Sequence, residues 1–399
     1  MTRIAISWLV YRLTGSSLTL GVVSFAGQIP TFVLAPVAGV WVDRWHKHRV
    51  LVITQCLALI QSAALAALAL SERITVPWLL ALSAFQGLIN AFDVPARQSF
   101  VVQMVDDRAD LANAIALNSS LVNAARLLGP SIAGLLIAAV GEGMCFAIDA
   151  VSYLAVIASL LAMRIPRVVS VPSDKHIWRE LREGFEYAAT FVPIRNVLLL
   201  LALVSLMGMP YAVLMPAVAT HTLGGGPHTL GFLMAASGIG ALIGTLYLAS
   251  RKSVLGLGRV IVLASGGFGL GLIVFSLSHS FWLSFAVLIP TGLGMMLQMA
   301  ACNTILQTVV DDDKRGRVMS FFAMAFFGTV PFGSLFAGFM ADRVGPQNTI
   351  ALGGLLCIVG AGLFWRGLPE VRRVARPAYV RLGILPQVPE DAATQHPGS

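Results

Sequence analysis

Long apolar runs separated by short polar turns repeat along the whole chain. They cover 17–42, 49–70, 76–103, 111–139, 144–163, 194–221, 228–250, 258–277, 281–308, 316–341 and 346–366, with few charges inside them. A helix that crosses a bilayer needs about 20 predominantly apolar residues. A separate segment in lipid satisfies its backbone only by being helical. The pattern therefore predicts an all-α membrane protein. Residues 1–13 are apolar but too short to cross, and Arg3 and Arg12 interrupt them. They lack the unbroken apolar core and the small-residue cleavage site of a signal peptide. Eleven full runs and this opening remnant predict twelve helices.

Two stretches depart from the pattern. The longest polar insert is 164–193, where Ile177, Trp178, Leu181 and Phe185 fall between Lys, Arg and Glu. That spacing predicts an amphipathic helix lying on the membrane surface. From about residue 367 the chain is rich in Pro, Arg and small polar residues, a composition expected to stay disordered.

The runs also repeat. Trp78 and Trp282 both open a run, and at the same offset of 204 Gln103 matches Gln307 and Ala133-Gly134 matches Ala337-Gly338. Earlier in each half the offset is 210, pairing Thr19-Leu20-Gly21 with Thr229-Leu230-Gly231 and Arg49-Val50 with Arg259-Val260. The prediction is two pseudo-symmetric six-helix bundles, 1–163 and 194–366, joined by the linker 164–193 and followed by the tail 367–399. Parallel halves of this kind place a substrate site at their interface near the bilayer midplane. The offset of 210 sets Met1 opposite Tyr211, so about half of the first helix is expected to be missing, as a misassigned start codon or a truncated gene would leave it.

Composition sharpens the class. Apolar residues are 57% and charged residues 12% of the chain, with mean hydropathy +0.82. A soluble domain is nearer 25% charged. The net charge of +8 would suggest nucleic acid in a soluble protein, but here the basic residues sit in loops and serve as topology signals. One set of alternate loops plus the tail holds 22 of the 27 Lys and Arg; the opposite loops hold Arg12, Arg73 and Arg343. The positive-inside rule puts the rich set and the C-terminus in the cytoplasm. Cys56, Cys145, Cys302 and Cys357 lie inside runs with no metal or pairing spacing. No phosphate-binding Gly-x-x-x-x-Gly-Lys-Ser/Thr loop, His-Glu-x-x-His or Gly-x-Ser-x-Gly motif occurs, so neither ATP hydrolysis nor another enzymatic activity is expected, and no cofactor.

Four local patterns carry a family resemblance. The turn from Gly39 to Leu51 resembles the loop signature of the major facilitator superfamily at Gly39, Asp43, Arg44, Lys47 and Leu51, and departs from it at Trp41, Val42, His46 and His48. The fourth-helix pattern falls on Leu79, Ser83 and Gln86-Gly87, with Ser83 where proton-coupled members carry Arg. Gly129-Pro130-Ser131-Ile132-Ala133-Gly134 is similar to the family's exporter pattern, associated with drug/proton antiporters. The run 92–98 and residues 6–11 resemble the branch that contains the enterobactin exporter and the macrolide-efflux proteins. The resemblance implies a monomeric secondary transporter in the inner (plasma) membrane, exporting a small amphiphilic, drug- or siderophore-like molecule by alternating access with proton antiport. An importer of the same fold, or a non-transporting scaffold, is the alternative.

Individual residues add candidate roles. An Asp43–Arg97 pair at the cytoplasmic rim, near a helix start around Gly316, would hold the inner side shut; a static surface salt bridge is the plainer reading. Asp93, one turn before Arg97, offers that Arg a competing partner. Arg126 lies about 15 residues, or ~22 Å, into its run. At that depth it faces a cavity or an acid, with Asp149 the nearest candidate, as a substrate or coupling contact or as a structural pair. Asn90, Asp93, Gln28, Gln298 and Asn303 are further cavity candidates, or interhelical hydrogen-bonding groups.

Overall fold

The computed structural model describes residues 1–101, 104, 111–163, 189–251, 253–310 and 312–381. The side chains at Gly39, Asp43, Arg44 and Arg126 fall outside that description, as do 164–188, with Ile177, Trp178, Leu181 and Phe185, and 382–399. The elements are α1 (Thr2–Thr14), α2 (Ser17–Arg44), α3 (Lys47–Leu70), α4 (Val76–Val101), α5 (Leu111–Ala162), α6 (Val192–Thr222), α7 (Pro227–Ser250), α8 (Leu257–Leu277), α9 (Phe281–Val309), α10 (Lys314–Val344) and α11 (Pro346–Arg381). Among the described residues, ten stretches are long and apolar enough to cross a membrane. The 52-residue α5 holds two passes, because Gly141 at φ 80°, ψ 170° breaks the helix. Only glycine takes that conformation without strain. With α1, the described residues form twelve segments in two sets of six.

Each set builds its own lobe. In the first, α2 packs along α4, and α3 along α4 and α5; in the second, α9 packs on α7 and α8, and α11 on α8 and α6. Leu9, Leu65, Leu79 and Phe146 fill the first interior, and Phe268, Phe275, Leu201 and Leu214 the second. Lipid is as apolar as leucine, so close packing rather than expulsion from water holds such helices together. The outer belt is correspondingly apolar: Trp282 is 77% exposed and Leu263 73%.

The helix boundaries follow local chemistry. Ser16 caps α2, its Oγ accepting from Thr19 N at 3.2 Å. Turns of π-helix interrupt α6 at Val204–Gly208 and Val218–Thr222, and α10 at Met324–Gly328. Extra residues of this kind bend a helix and free backbone groups. The last helix corrects one sequence expectation. Disorder was expected from about 367, yet α11 runs on to Arg381. Leu368 and Val371 are buried, so an apolar face continues past the membrane-length run while Arg372 and Arg373 face out.

Candidate functional site

The two lobes meet along two helix crossings. In the first, α2 lies against α10. Ser17 and Gly21 on α2 face Ser334 and Gly338 on α10, and each pair is four residues, about one turn, apart. A Cβ on Gly21 would sit 2.5 Å from the Ser334 carbonyl oxygen, and one on Gly338 2.6 Å from that of Ser17. In the second crossing, α5 lies against α7. A Cβ on Gly134 would come 2.6 Å from Pro227 O and 2.7 Å from Gly231 Cα, and one on Gly231 2.9 Å from Pro130 O. Neither crossing has room for a methyl group, so backbone touches backbone.

Polar and aromatic contacts flank the first crossing. The Asp342 carboxylate, one turn beyond Gly338, accepts from Ser17 N at 2.7 Å, Leu18 N at 3.1 Å and Ser16 Oγ at 3.0 Å. Tyr11 of α1 meets His221 of α6 edge-on, with centroids 5.7 Å apart. Further along α2, Phe25 and Phe32 pack edge-on against Phe332, at 5.8 and 6.2 Å. The Asp342 and Tyr11 contacts lie at the end of the bundle that carries the turns at Gly15, Gly141 and Gly345, here called the Asp342 face, and the phenylalanine contacts lie further along α2 towards its middle. Asp43 lies on α2 eleven residues past Phe32, close to three turns towards the opposite end.

The residues singled out in the sequence separate into groups. Asp93, 6% exposed, accepts from Thr54 Oγ1 at 3.0 Å, Gln55 Nε2 at 2.7 Å and Arg97 at 2.7 Å. Arg97 therefore engages the acid on its own helix. Asp149 accepts from Thr2 Oγ1 at 2.5 Å and Ser62 Oγ at 3.1 Å, tying α1 and α3 to the second arm of α5. Gln28 donates to Ser24, Asn90 accepts from Gln86 and Asn303 from Gln307, each within one helix. Gln298 is 1% exposed; its amide contacts Cys302 Sγ at 3.7 Å and its carbonyl oxygen has no hydrogen-bond partner. Of the exporter pattern, Pro130 and Gly134 sit in the α5–α7 crossing, while Gly129 has open space around it. Ser83 is 5% exposed on α4 where it faces Gly27 of α2, and its Oγ has no hydrogen-bond partner.

Sequence reasoning passed over Asp342, Glu142, Thr54 and Gln55. The Ser334, Gly338, Asp342 spacing of four carried a signal, since small residues one turn apart mark a close helix contact that an acid then terminates. Glu142 pairs with Arg12 at 3.1 Å inside the first lobe, beside the Gly141 break.

Two lobes close on each other through glycines, and each buries polar side chains. A family model described as transmembrane secretion effector matches residues 1–380. The chain belongs to this family of major facilitator transporters. It is a multi-pass membrane transporter and not an enzyme. It is similar to the staphyloferrin A transporter of Staphylococcus aureus, 26% identical over 361 residues and 89% of each chain. It is also similar to the multidrug efflux pump Tap of Mycolicibacterium fortuitum, 26% identical over 389 residues and 94% of each chain. Among solved structures it resembles the nucleoside transporter NupG, with TM-score 0.72 at 12% identity, covering 91% of this chain and 94% of that one. The transporter thus has the superfamily's two-lobed fold over nearly its whole length.

Proposed function

We propose that this transporter exports a small amphiphilic, drug- or siderophore-like molecule from the cytoplasm by alternating access, driven by proton antiport. The observation that carries the reading is the packing of Gly134 on Gly231. The stretch that resembles the exporter pattern lies in the seam between the lobes, where its small residues decide how closely that seam shuts. The relatives named an efflux pump and a staphyloferrin A transporter support a role in moving small molecules. On this reading 1–163 and 194–366 are the rocking lobes, 164–193 tethers them on the cytoplasmic side and 367–399 forms a cytoplasmic tail. The excess of Lys and Arg in the loops away from Asp342 supports taking the Asp342 face as the outer one.

The cycle then has two states. With the outer seam shut, substrate enters between the lobes from the cytoplasm. Asp43, with Arg44 at the inner end of α2 and Lys47 at the start of α3, engages the facing lobe when that side closes, and Arg97 exchanges between Asp93 and Asp43. Ser83 carries no charge, so proton coupling falls to carboxylates within the lobe, with the buried Asp93 and the half-buried Asp149 the candidates. Arg126 is the candidate cation facing the cavity.

Transport into inverted membrane vesicles tests the proposal. A panel of amphiphilic compounds is offered with and without an imposed proton gradient. Uptake that rises with the gradient and stops on its collapse supports proton-coupled export. Uptake indifferent to the gradient overturns the coupling. Accumulation only in right-side-out vesicles makes the protein an importer, and no accumulation of any compound favours a scaffold.

A further inference from the structure

Three hydrogen bonds between the lobes converge on one carboxylate at the Asp342 face. Asp342 Oδ1 accepts from Ser17 N at 2.7 Å and Leu18 N at 3.1 Å, and Oδ2 accepts from Ser16 Oγ at 3.0 Å. The two amides are the first of the 28-residue helix α2, whose unpaired N–H groups and dipole favour a negative charge there. Ser16 holds the arrangement together, because its Oγ also accepts from Thr19 N and so fixes the first turn of α2. The acid belongs to one lobe and every donor to the other. We propose that Asp342 is a gating residue, an anionic latch on the start of α2 that holds this face of the transporter shut and must let go each time the face opens.

The surroundings leave that role to Asp342 and neutral donors. Arg12 is engaged with Glu142 at 3.1 Å in its own lobe, and the Arg343 guanidinium lies over the Phe339 ring, 4.2 Å from its centroid, on its own helix. Tyr11 and His221 make a ring contact with each other. The latch sits one turn beyond the Gly21–Gly338 contact, which has no slack. Separating α2 from α10 at that contact therefore breaks all three bonds together. Water replaces them on both sides once the face is open, so the net bias is modest. Loss of the carboxylate is expected to favour the open face by about tenfold, the equivalent of about 1.4 kcal/mol.

The inference rests on the lobes rocking as proposed above, so its test reads conformation rather than transport. A single reporter cysteine replaces Ser17, which is 4% exposed in the seam, and is challenged with a membrane-impermeant maleimide in proteoliposomes. Asp342→Ala should raise the labelling rate about tenfold, Asp342→Asn by less because one acceptor oxygen remains, and Asp342→Glu should restore most of the protection. Ser16→Ala should raise it severalfold alone. If Asp342→Ala does not fold, judged by size-exclusion profile and melting temperature, Asp342→Asn and Ser16→Ala carry the test. Labelling at the parent rate in the folded variants overturns the latch. A parent protein that transports nothing but still shows the expected labelling series would sink the export proposal and leave the latch standing.

Discussion

Replacing Gly134 by alanine drives a methyl group into the backbone of the opposite lobe. Its Cβ would lie 2.6 Å from Pro227 O and 2.7 Å from Gly231 Cα. Carbon atoms rest at about 3.5–4.0 Å, so each contact is about 1 Å too short. The obstructing atoms belong to α7 itself and cannot rotate aside, so relief requires α5 and α7 to separate. Overfilling a tight contact of this kind costs about 1–3 kcal/mol. That cost falls only on the state in which the crossing is closed, and corresponds to a 5–150-fold shift towards the open outer face. The gain of about 1 kcal/mol from exchanging glycine for alanine in a helix applies to both states and cancels between them. Gly129→Ala supplies the control, since open space surrounds that position on the same helix. With a cysteine at Ser17 as reporter, Gly134→Ala should label at least fivefold faster with an impermeant maleimide, and Gly129→Ala at the parent rate. Equal rates in all three proteins would refute the reasoning that this glycine contact shuts the seam.

Other substitutions separate structural from gating roles. Asp93→Ala leaves the buried Gln55 amide unpaired at about 1–3 kcal/mol, while the Thr54 hydroxyl keeps the Leu51 carbonyl oxygen, so the melting temperature should drop by a few degrees; an unchanged melting curve contradicts the buried cluster. Arg12→Ala should lower stability by about 1–3 kcal/mol, because the Arg12 side chain is 58% exposed but the Glu142 carboxylate it pairs with is only 8% exposed and loses that partner; an unchanged thermal unfolding curve contradicts the pairing. Asp43→Asn should slow turnover while leaving equilibrium substrate binding largely intact, and equal turnover would remove Asp43 from the inner gate. Phe32→Ala removes a ring that packs on Phe332 across the lobes, and should raise basal leak of substrate in counterflow experiments without abolishing expression.

The fold was legible because the bilayer imposes its own period. Runs of about 20 apolar residues must be helices, and the offsets of 204 and 210 exposed the two halves before any contact was known. Ends were harder to read. Past 366 the apolar face narrows to Leu368 and Val371, too few residues for a hydropathy run yet enough to hold α11 as far as Arg381. The close helix contacts were legible where small residues are spaced by one turn. Gly134 stood out in the sequence, and its partner Gly231 came through the internal repeat with Gly21. Asp342 was missed because its role depends on the helix it caps in the other lobe, which no local spacing reveals. For Arg97 the sequence offers Asp43 and, as a competing partner, Asp93; proximity along α4 supplies Asp93 one turn away without any closure entropy.

Alternating access is tested most directly by two interlobe distances in the same protein. One pair of spin labels replaces Leu13 and Val344, both exposed at the Asp342 face; another replaces His46 and Ser320, exposed at the opposite end. Without substrate the first pair should show a short, narrow distribution and the second a long one. Adding a transported amphiphile under a proton gradient should lengthen the first pair and shorten the second. Distances that change in the same direction, or that stay fixed while substrate is demonstrably transported, would contradict the account.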